Sequence, residues 1–271
     1  MKNKGELTTQ QLVGIIILIM SFVIILFFLF RLNLGETTDK EICHNSVALK
    51  AQTALGSGPL DCKTSYVCIS GGGKCEGFNP SITIDIDLNP RTVESKSKEE
   101  IVKEEIMKAI AEEMADCWWM FGEGKVDYVG TEFFGSTQCA LCSIISFDEK
   151  IKEYEKLSGG ISYLSFYDEL KKPRTENKQE TYLEYMYNVD GIMKFKGSFD
   201  SYLEDYLSNN LDLNKQYFIL TGRFAEGRFT TDNWFPQFKL FVKNKPIPVT
   251  ILEKTNENYQ DVGCDEFLTK A

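Results

Sequence analysis

The hydrophobic pattern of the chain is dominated by one apolar run, Leu12–Phe30. It is 19 residues long and contains neither a charge nor a proline. As an α-helix it would be roughly 28 Å long, close to the ~30 Å hydrocarbon core of a bilayer. The sequence therefore predicts a cytoplasmic stub at 1–11, a transmembrane helix at 12–31, a juxtamembrane stalk at 32–60 and an extracytoplasmic domain at 61–271.

Beyond the apolar run, the pattern predicts helices and strands in irregular order. Ser81–Leu88 alternates isoleucine or leucine with polar residues, which is typical of a half-buried strand. Ser97 and Glu100 have capping-box spacing, and the helix they open should end near Phe121. Further strands are predicted at 139–147 (leading into a short helix), 181–188, 216–224, 235–242 and 247–252. Further helices are predicted at 39–55, 163–170 and 199–207. Residues 171–179 are predicted to form an exposed loop.

These elements do not alternate with a βαβ rhythm, so the predicted fold class is α+β. We expect one N-terminal transmembrane helix followed by a disulfide-stabilised mixed α/β ectodomain with a mostly antiparallel sheet. Pro246 and Pro248 cannot donate to a strand ladder, which favours an edge position for the last strand.

The direction of the anchor follows from charge and cysteine usage. The stub carries Lys2, Lys4 and the amino terminus against Glu6, whereas acidic residues dominate the other flank, so the positive-inside rule places the stub in the cytoplasm. All the cysteines follow the anchor, and their even number is typical of a disulfide framework in an exported domain. Eight cysteines allow 105 pairings. They are Cys43, Cys62, Cys68, Cys75, Cys117, Cys139, Cys142 and Cys264.

The exported body is acidic. Removing Lys2, Lys4, Arg31 and Glu6 from whole-chain totals of 30 basic and 40 acidic residues leaves a formal charge of −12 for residues 32–271. Such a charge repels phosphate backbones, so no nucleic-acid partner is expected. The expected partners are the lipid bilayer and proteins at the cell surface.

Catalytic constellations are scarce. His44 is the single histidine, so Ser-His-Asp, Cys-His and multi-histidine metal chemistry would all require it, and its neighbourhood predicts a solvated stalk residue. The least implausible carboxylate pair for acid–base chemistry lies in Glu112-Glu113 and Asp116. We expect no enzyme activity, no cofactor and no metal site.

Cys139 and Cys142 form a C-x-x-C pair, which is the core of thiol–disulfide exchange when it opens a helix in a βαβ unit. The residues that follow do not predict such a helix. Structural disulfides are the favoured interpretation, with exported thiol–disulfide oxidoreductase activity and metal binding as alternatives.

An aromatic cluster ends the long predicted helix. Adjacent residues cannot share one helix face, so Trp118, Trp119 and Phe121 form a candidate interaction surface for a protein or glycan. The competing interpretation is core packing against the disulfide of Cys117.

The stub reads Lys4-Gly5-Glu6-Leu7-Thr8-Thr9-Gln10-Gln11. It resembles the class III signal of type IV pilin-like proteins, especially the archaeal kind. The resemblance implies cleavage between Gly5 and Glu6, retention of the helix and homo-oligomer formation through that helix. Gln10 stands where bacterial members carry Glu. A plain uncleaved signal anchor is the competing interpretation.

Several segments of the body resemble single-pass membrane proteins of small-genome archaea, a family with no assigned activity. They are Leu60–Thr64, Val67–Gly73 and Ala115–Gly124. The expected function is a non-enzymatic, membrane-anchored cell-surface protein of structural, adhesive or interaction type in the cytoplasmic membrane. The alternative is a pilin-like filament subunit processed after Gly5.

Overall fold

A computed structural model describes residues 9–31, 34–52, 60–77, 79–91, 96–129, 137–154, 157, 159–175, 178–187, 209–224, 246–255 and 264–270. The chain divides into two compact units, residues 1–39 and 40–271.

The first unit contains helix α1, Thr9–Arg31. Side chains of this helix are described from Val13 to Ile24, and all of them are exposed, up to 69% for Leu18. Over the described part of the chain, no helix is both long and apolar enough to cross a membrane. The transmembrane span at 12–31 stays a prediction.

Helix α2, Leu34–Gln52, agrees with the helix predicted from residue 39 onward. The second unit begins at Lys40, within this helix. Cys43 and Val47 are buried in its core, and Cys43 is bonded to Cys62. Residues 40–52 of the predicted stalk therefore belong to the folded domain.

The second unit contains four more helices and ten strands among the described residues. The helices are α3 (Lys98–Met120), α4 (Glu149–Lys152), α5 (Tyr163–Leu170) and α6 (Tyr182–Tyr187). The strands are β1 (Ser65–Ser70), β2 (Ile82–Asp85), β3 (Thr137–Phe147), β4 (Ile161–Ser162), β5 (Pro173–Thr175), β6 (Lys178–Thr181), β7 (Asn210–Leu211), β8 (Tyr217–Phe224), β9 (Pro246–Glu253) and β10 (Glu266–Phe267).

The central sheet has the strand order β2-β1-β3-β8-β9, with β10 also paired to β3. The β2–β1, β1–β3 and β10–β3 pairings are parallel, whereas β3–β8 and β8–β9 are antiparallel. Two antiparallel pairs, β4–β7 and β5–β6, lie outside this sheet. The structure confirms an α+β fold in which most of the described strand pairings are antiparallel. Among the described strands β9 is the last of the sheet, but its predicted hairpin partner at 235–242 lies outside the described residues, so the edge position stays a prediction.

Helix α3 begins as the sequence predicts. Ser97 Oγ accepts a hydrogen bond from Glu100 N–H at 3.2 Å, while Ser97 N–H donates to the Glu100 carboxylate at 2.7 Å. These reciprocal bonds satisfy two N–H groups that a helix start leaves unpaired. The helix packs on β8 and β9, and its buried apolar positions recur at helical spacing: Val102, Ile106, Ile110, Met114 and Cys117.

Strand β3 separates two apolar clusters. Ala140, Ile145 and Phe147 face the main core with α3, whereas Leu141 and Ile144 pack with β8 on the opposite face. The register with β8 shifts between Leu141 and Ser143, so Cys142 is the extra residue of a β-bulge.

Several predicted elements are confirmed, namely the helices at 98–120 and 163–170 and the strands at 82–85, 137–147, 217–224 and 246–253. The strand predicted at 181–188 is wrong, because α6 occupies Tyr182–Tyr187. Thr181 and Glu184 exchange cap hydrogen bonds there, so a local capping box outweighs the alternating pattern. The loop predicted at 171–179 instead contributes to the β5–β6 hairpin. Residues 199–207 and 235–242 lie outside the described residues.

The loop after β1 wraps around one carboxylate. Asp148 Oδ2 accepts hydrogen bonds from Gly71 N–H at 3.0 Å, Gly73 N–H at 2.6 Å and Ser70 Oγ at 3.0 Å. Its other oxygen caps α4 at Ile151 N–H, 2.9 Å away. A Cβ on Gly73 would lie 2.6 Å from Asp148 Oδ2, so this position requires glycine. The Cys68–Cys75 disulfide closes the same loop.

Burial alone would raise the pKa of Asp148, but these hydrogen bonds outweigh it and lower the pKa. We expect Asp148→Asn to lower the free energy of unfolding by about 1–3 kcal/mol, because the NH₂ group that replaces one carboxylate oxygen cannot accept the hydrogen bonds made by that oxygen. An acid with a depressed folded pKa stabilises above its unfolded pKa of ~3.9 and loses that contribution as pH falls through the folded value.

Urea unfolding from pH 7 down to pH 2 measures this effect. The difference in free energy of unfolding between wild type and Asp148→Asn should decrease below about pH 4. The matched control is Asp85→Asn, at an exposed position of β2. A stability difference that is no larger than that of the control at every pH would contradict the role of Asp148.

Candidate functional site

Helix α2 docks on the C-terminal half of α3 through a lysine between two carboxylates. Lys40 Nζ lies 2.9 Å from Glu113 Oε1 and 2.7 Å from Asp116 Oδ2. Glu113 and Asp116 are three residues apart, so they share one face of α3. The exposed side-chain fractions are 18% for Lys40, 8% for Glu113 and 48% for Asp116. One lysine thus pairs with two carboxylates that lie together on a helix.

Burial raises the pKa of Glu113, and attraction to Lys40 only partly offsets it. Burial alone would lower the pKa of Lys40, but its attraction to Glu113 and Asp116 prevails and raises the pKa. The difference has a simple cause: Lys40 has two opposite charges beside it, whereas Glu113 has one and is also repelled by Asp116. The cluster therefore favours a charged lysine.

One turn farther along α2, His44 stacks on Trp119. The ring centroids are 4.1 Å apart and the planes are inclined by 7°. His44 Nδ1 lies 2.7 Å from the Trp119 carbonyl oxygen, which can only accept, so Nδ1 carries the proton. Trp119 lies in the last turn of α3, and its carbonyl also accepts from the Phe121 N–H, so the histidine bond ties α2 to the end of α3. His44 is half-buried, so its prediction as a solvated stalk residue is wrong.

A cleft of about 440 Å³ opens elsewhere on the domain beside Tyr66 and Lys254. The cleft beside the α2–α3 contact is smaller, about 270 Å³, and is lined by His44, Ala48, Trp119, Gly122, Glu123, Lys125 and Val126. It places the single histidine, a half-buried tryptophan and a carboxylate side by side, so we treat it as the candidate site.

Glu123 stands in an unusual backbone conformation at this cleft. Its φ is +55°, and Gly122 and Gly124 on either side are also left-handed, at +73° and +68°. L side chains rarely adopt this region, at a cost of about 1–2 kcal/mol. Tyr185 Oη donates to the Glu123 carboxylate at 2.8 Å, and Lys125 pairs with it.

These partners determine the charge of Glu123. Burial would raise its pKa, but the bonds from Lys125 and Tyr185 lower it, so the carboxylate is ionised at neutral pH. The Arg174 guanidinium lies 3.4 Å from the centre of the Tyr185 ring and adds a second positive charge nearby. The cleft therefore presents a fixed, already paired carboxylate.

The predicted site residues are only partly brought together. Trp119 lines the cleft, but Trp118 and Phe121 lie in the core, 7% and 2% exposed. The three aromatic side chains therefore do not form one surface, which corrects that prediction. Gly5 and Glu6 lie outside the described residues. The part of the chain that the structure describes contains no group of three or more histidine, cysteine or acidic residues able to hold a metal ion.

All eight cysteines are bonded. The pairs are Cys43–Cys62, Cys68–Cys75, Cys117–Cys142 and Cys139–Cys264. The two cysteines of the C-x-x-C pair bond to different partners, because Cys142 joins α3 whereas Cys139 joins the segment next to β10. Their spacing on a strand explains this: Cys142 is two residues from Ala140 and shares its face toward the main core and α3, whereas Cys139 is two residues from Leu141, on the opposite face.

No protein-family model matches the chain, and neither a curated protein nor a solved structure is significantly similar to it.

The sequence pointed to Glu113 and Asp116 but not to Lys40 or to the role of His44. The only local signal was the spacing of Lys40, His44 and Ala48, which places them on one face of α2. Their partners lie more than 70 residues away in the chain.

We expect Lys40→Met to lower the free energy of unfolding by about 3 kcal/mol, the lower end for a broken buried pair, because Lys40 is partly exposed. The variant leaves Glu113 buried without its cation, which raises the pKa of Glu113 further. An acid whose folded pKa is raised is stabilised by protonation, so the defect should shrink as pH falls toward 4.

Chemical denaturation at pH 7 and pH 4.5 measures both effects. Lys74→Met, at an exposed lysine, is the matched control, and Glu113→Gln should recover part of the loss in the Lys40→Met background. A loss that is no larger than the control would show that the cluster does not hold α2.

Proposed function

We propose that this chain is a membrane-anchored cell-surface protein of structural, adhesive or interaction type, with no enzymatic role. The observation that carries the proposal is the bonding of every cysteine into four disulfides, all in the unit that follows α1. Disulfides of this kind form and persist in oxidising compartments, outside the cytoplasm.

The anchor is proposed from the apolar run and from α1. The described side chains of α1 are exposed and almost entirely apolar on every face of the helix, as for a helix surrounded by lipid. The basic stub then points into the cytoplasm and the acidic domain outward.

The absence of an enzymatic role is proposed from what the ionisable groups do. Glu113 and Asp116 hold Lys40, and Asp148 organises a loop. A general base needs a free lone pair within reach of a substrate, and these groups are committed to the fold.

Fractionation and proteolysis test the anchor and its direction. The full chain should stay in the membrane pellet after alkaline carbonate washing. Protease added to intact cells should then degrade the domain and spare an epitope placed before Leu12. A domain that resists protease until the membrane is permeabilised would contradict the outward direction, and release by carbonate would contradict the anchor.

A second candidate is a pilin-like subunit, favoured by the Lys4-Gly5-Glu6 sequence directly before the apolar run. It predicts an intact mass that lacks residues 1–5 in the wild type. The Gly5→Leu variant should keep these residues, because a bulky residue replaces the glycine at the cleavage site. A complete wild-type mass would reject this candidate and leave the plain anchor.

A further inference from the structure

The segment Cys264–Lys270 pairs with the central sheet between residues 62–64 and β3. Its strand β10 runs parallel to β3 at Cys139, on the side of β3 that β1 occupies farther along. Lys270 N–H donates to the Cys62 carbonyl and Thr64 N–H donates to the Lys270 carbonyl, both at 2.9 Å. The segment therefore lies between residues 62–64 and the first half of β3 and completes this side of the sheet.

Hydrogen bonds and surface ion pairing, rather than buried side chains, hold this segment by noncovalent contacts. Thr137 N–H donates to Asp265 Oδ2 at 2.5 Å, Gln138 Nε2 donates to Glu266 Oε2 at 3.2 Å, and Lys270 lies 3.7 Å from Asp61. Asp265 N–H and Leu268 N–H donate to carbonyls of β3, both at 2.8 Å, and Leu141 N–H donates to Thr269 Oγ1 at 3.0 Å. None of the seven side chains of the segment is buried, and Phe267 is only partly covered. A short segment with little buried apolar area opens at a small free-energy cost. The bond from Cys139 to Cys264 is the covalent constraint on this segment.

This bond also has the most accessible cysteine. Seven of the eight cysteines are buried, with exposed fractions of 0–6%, whereas Cys264 is half-buried. Thiol–disulfide exchange requires the attacking thiolate to reach one of the two sulfurs. Cys264 Sγ is thus the point of attack, and the buried Cys139 is the leaving group.

We propose that Cys139–Cys264 is a thiol-exchange site, which a dithiol reductant opens while the other three disulfides stay closed. The first thiolate of the dithiol attacks Cys264 Sγ, the bond to Cys139 breaks, and Cys139 leaves as a thiolate that takes up a proton. The second thiol then attacks the mixed disulfide and displaces Cys264, which is also protonated. The protein bond gains two electrons, and the dithiol becomes a disulfide.

Opening this bond allows the segment Cys264–Lys270 to leave the central sheet. Residues 62–64 then lose their backbone partners in this segment, and the first half of β3 keeps its pairing with β8 alone, so the redox state of one bond decides whether this side of the sheet is paired. The exchange site goes beyond the proposed surface function and does not depend on the membrane anchor.

Graded reduction of the folded full-length chain with dithiothreitol tests the site. Samples are quenched with one alkylating reagent, fully reduced, labelled with a second reagent and mapped by peptide mass spectrometry. Cys139 and Cys264 should acquire the first label at least ten times faster than the other six cysteines. Another pair opening first, or all eight cysteines opening in one step, would overturn the proposal.

Hydrogen exchange tests the release. After selective reduction, the amides of Thr64, Leu141 and Leu268 should exchange at least ten times faster, while those of the Ser143–Phe147 half of β3 should not change. The Cys139→Ala/Cys264→Ala variant should show the same pattern, and the matched control is Cys68→Ala/Cys75→Ala. If the Cys139→Ala/Cys264→Ala variant does not fold, the hydrogen exchange of the partly reduced wild type alone tests the release. Unchanged exchange at the three amides would overturn the release.

Discussion

The disulfide between Cys117 and Cys142 joins the long helix to the central strand, and most of the domain is arranged around that joint. Cys142 is the bulged residue of β3, and Cys117 belongs to the buried face of α3. The register of α3 against the sheet is therefore fixed near its C-terminal end. The residues that hold α2 lie on the same part of α3, so the joint also positions Lys40 and His44.

The charged groups near this joint serve the fold. Glu113 is buried and forms an ion pair with Lys40. Asp148 accepts hydrogen bonds from backbone N–H groups and from Ser70, which keep it ionised. Each group would be costly to bury unpaired, and each ties together segments that are distant in the chain. The candidate cleft follows the same rule, because Glu123 is already paired with Tyr185 and Lys125. The use of these charges in the fold supports the proposed structural or interaction role.

Local signals were enough for part of this structure. The capping box at Ser97 and the alternation at Ser81–Leu88 predicted α3 and β2, because both patterns depend on residues a few positions apart. Tyr182–Tyr187 is apolar or aromatic at nearly every position, so its period is ambiguous, and the cap at Thr181 decided in favour of a helix. The stack of His44 on Trp119 and the choice among 105 cysteine pairings depend on tertiary contacts, which no local pattern encodes.

Mapping disulfide-linked peptides of the non-reduced full-length chain tests the central claim most directly. We expect Cys117 linked to Cys142, Cys139 linked to Cys264, Cys43 linked to Cys62 and Cys68 linked to Cys75. Alkylation under non-reducing conditions should find no free thiol. A Cys139–Cys142 linkage, or free thiols at these positions in freshly isolated protein, would contradict a domain built on a covalent joint between α3 and β3.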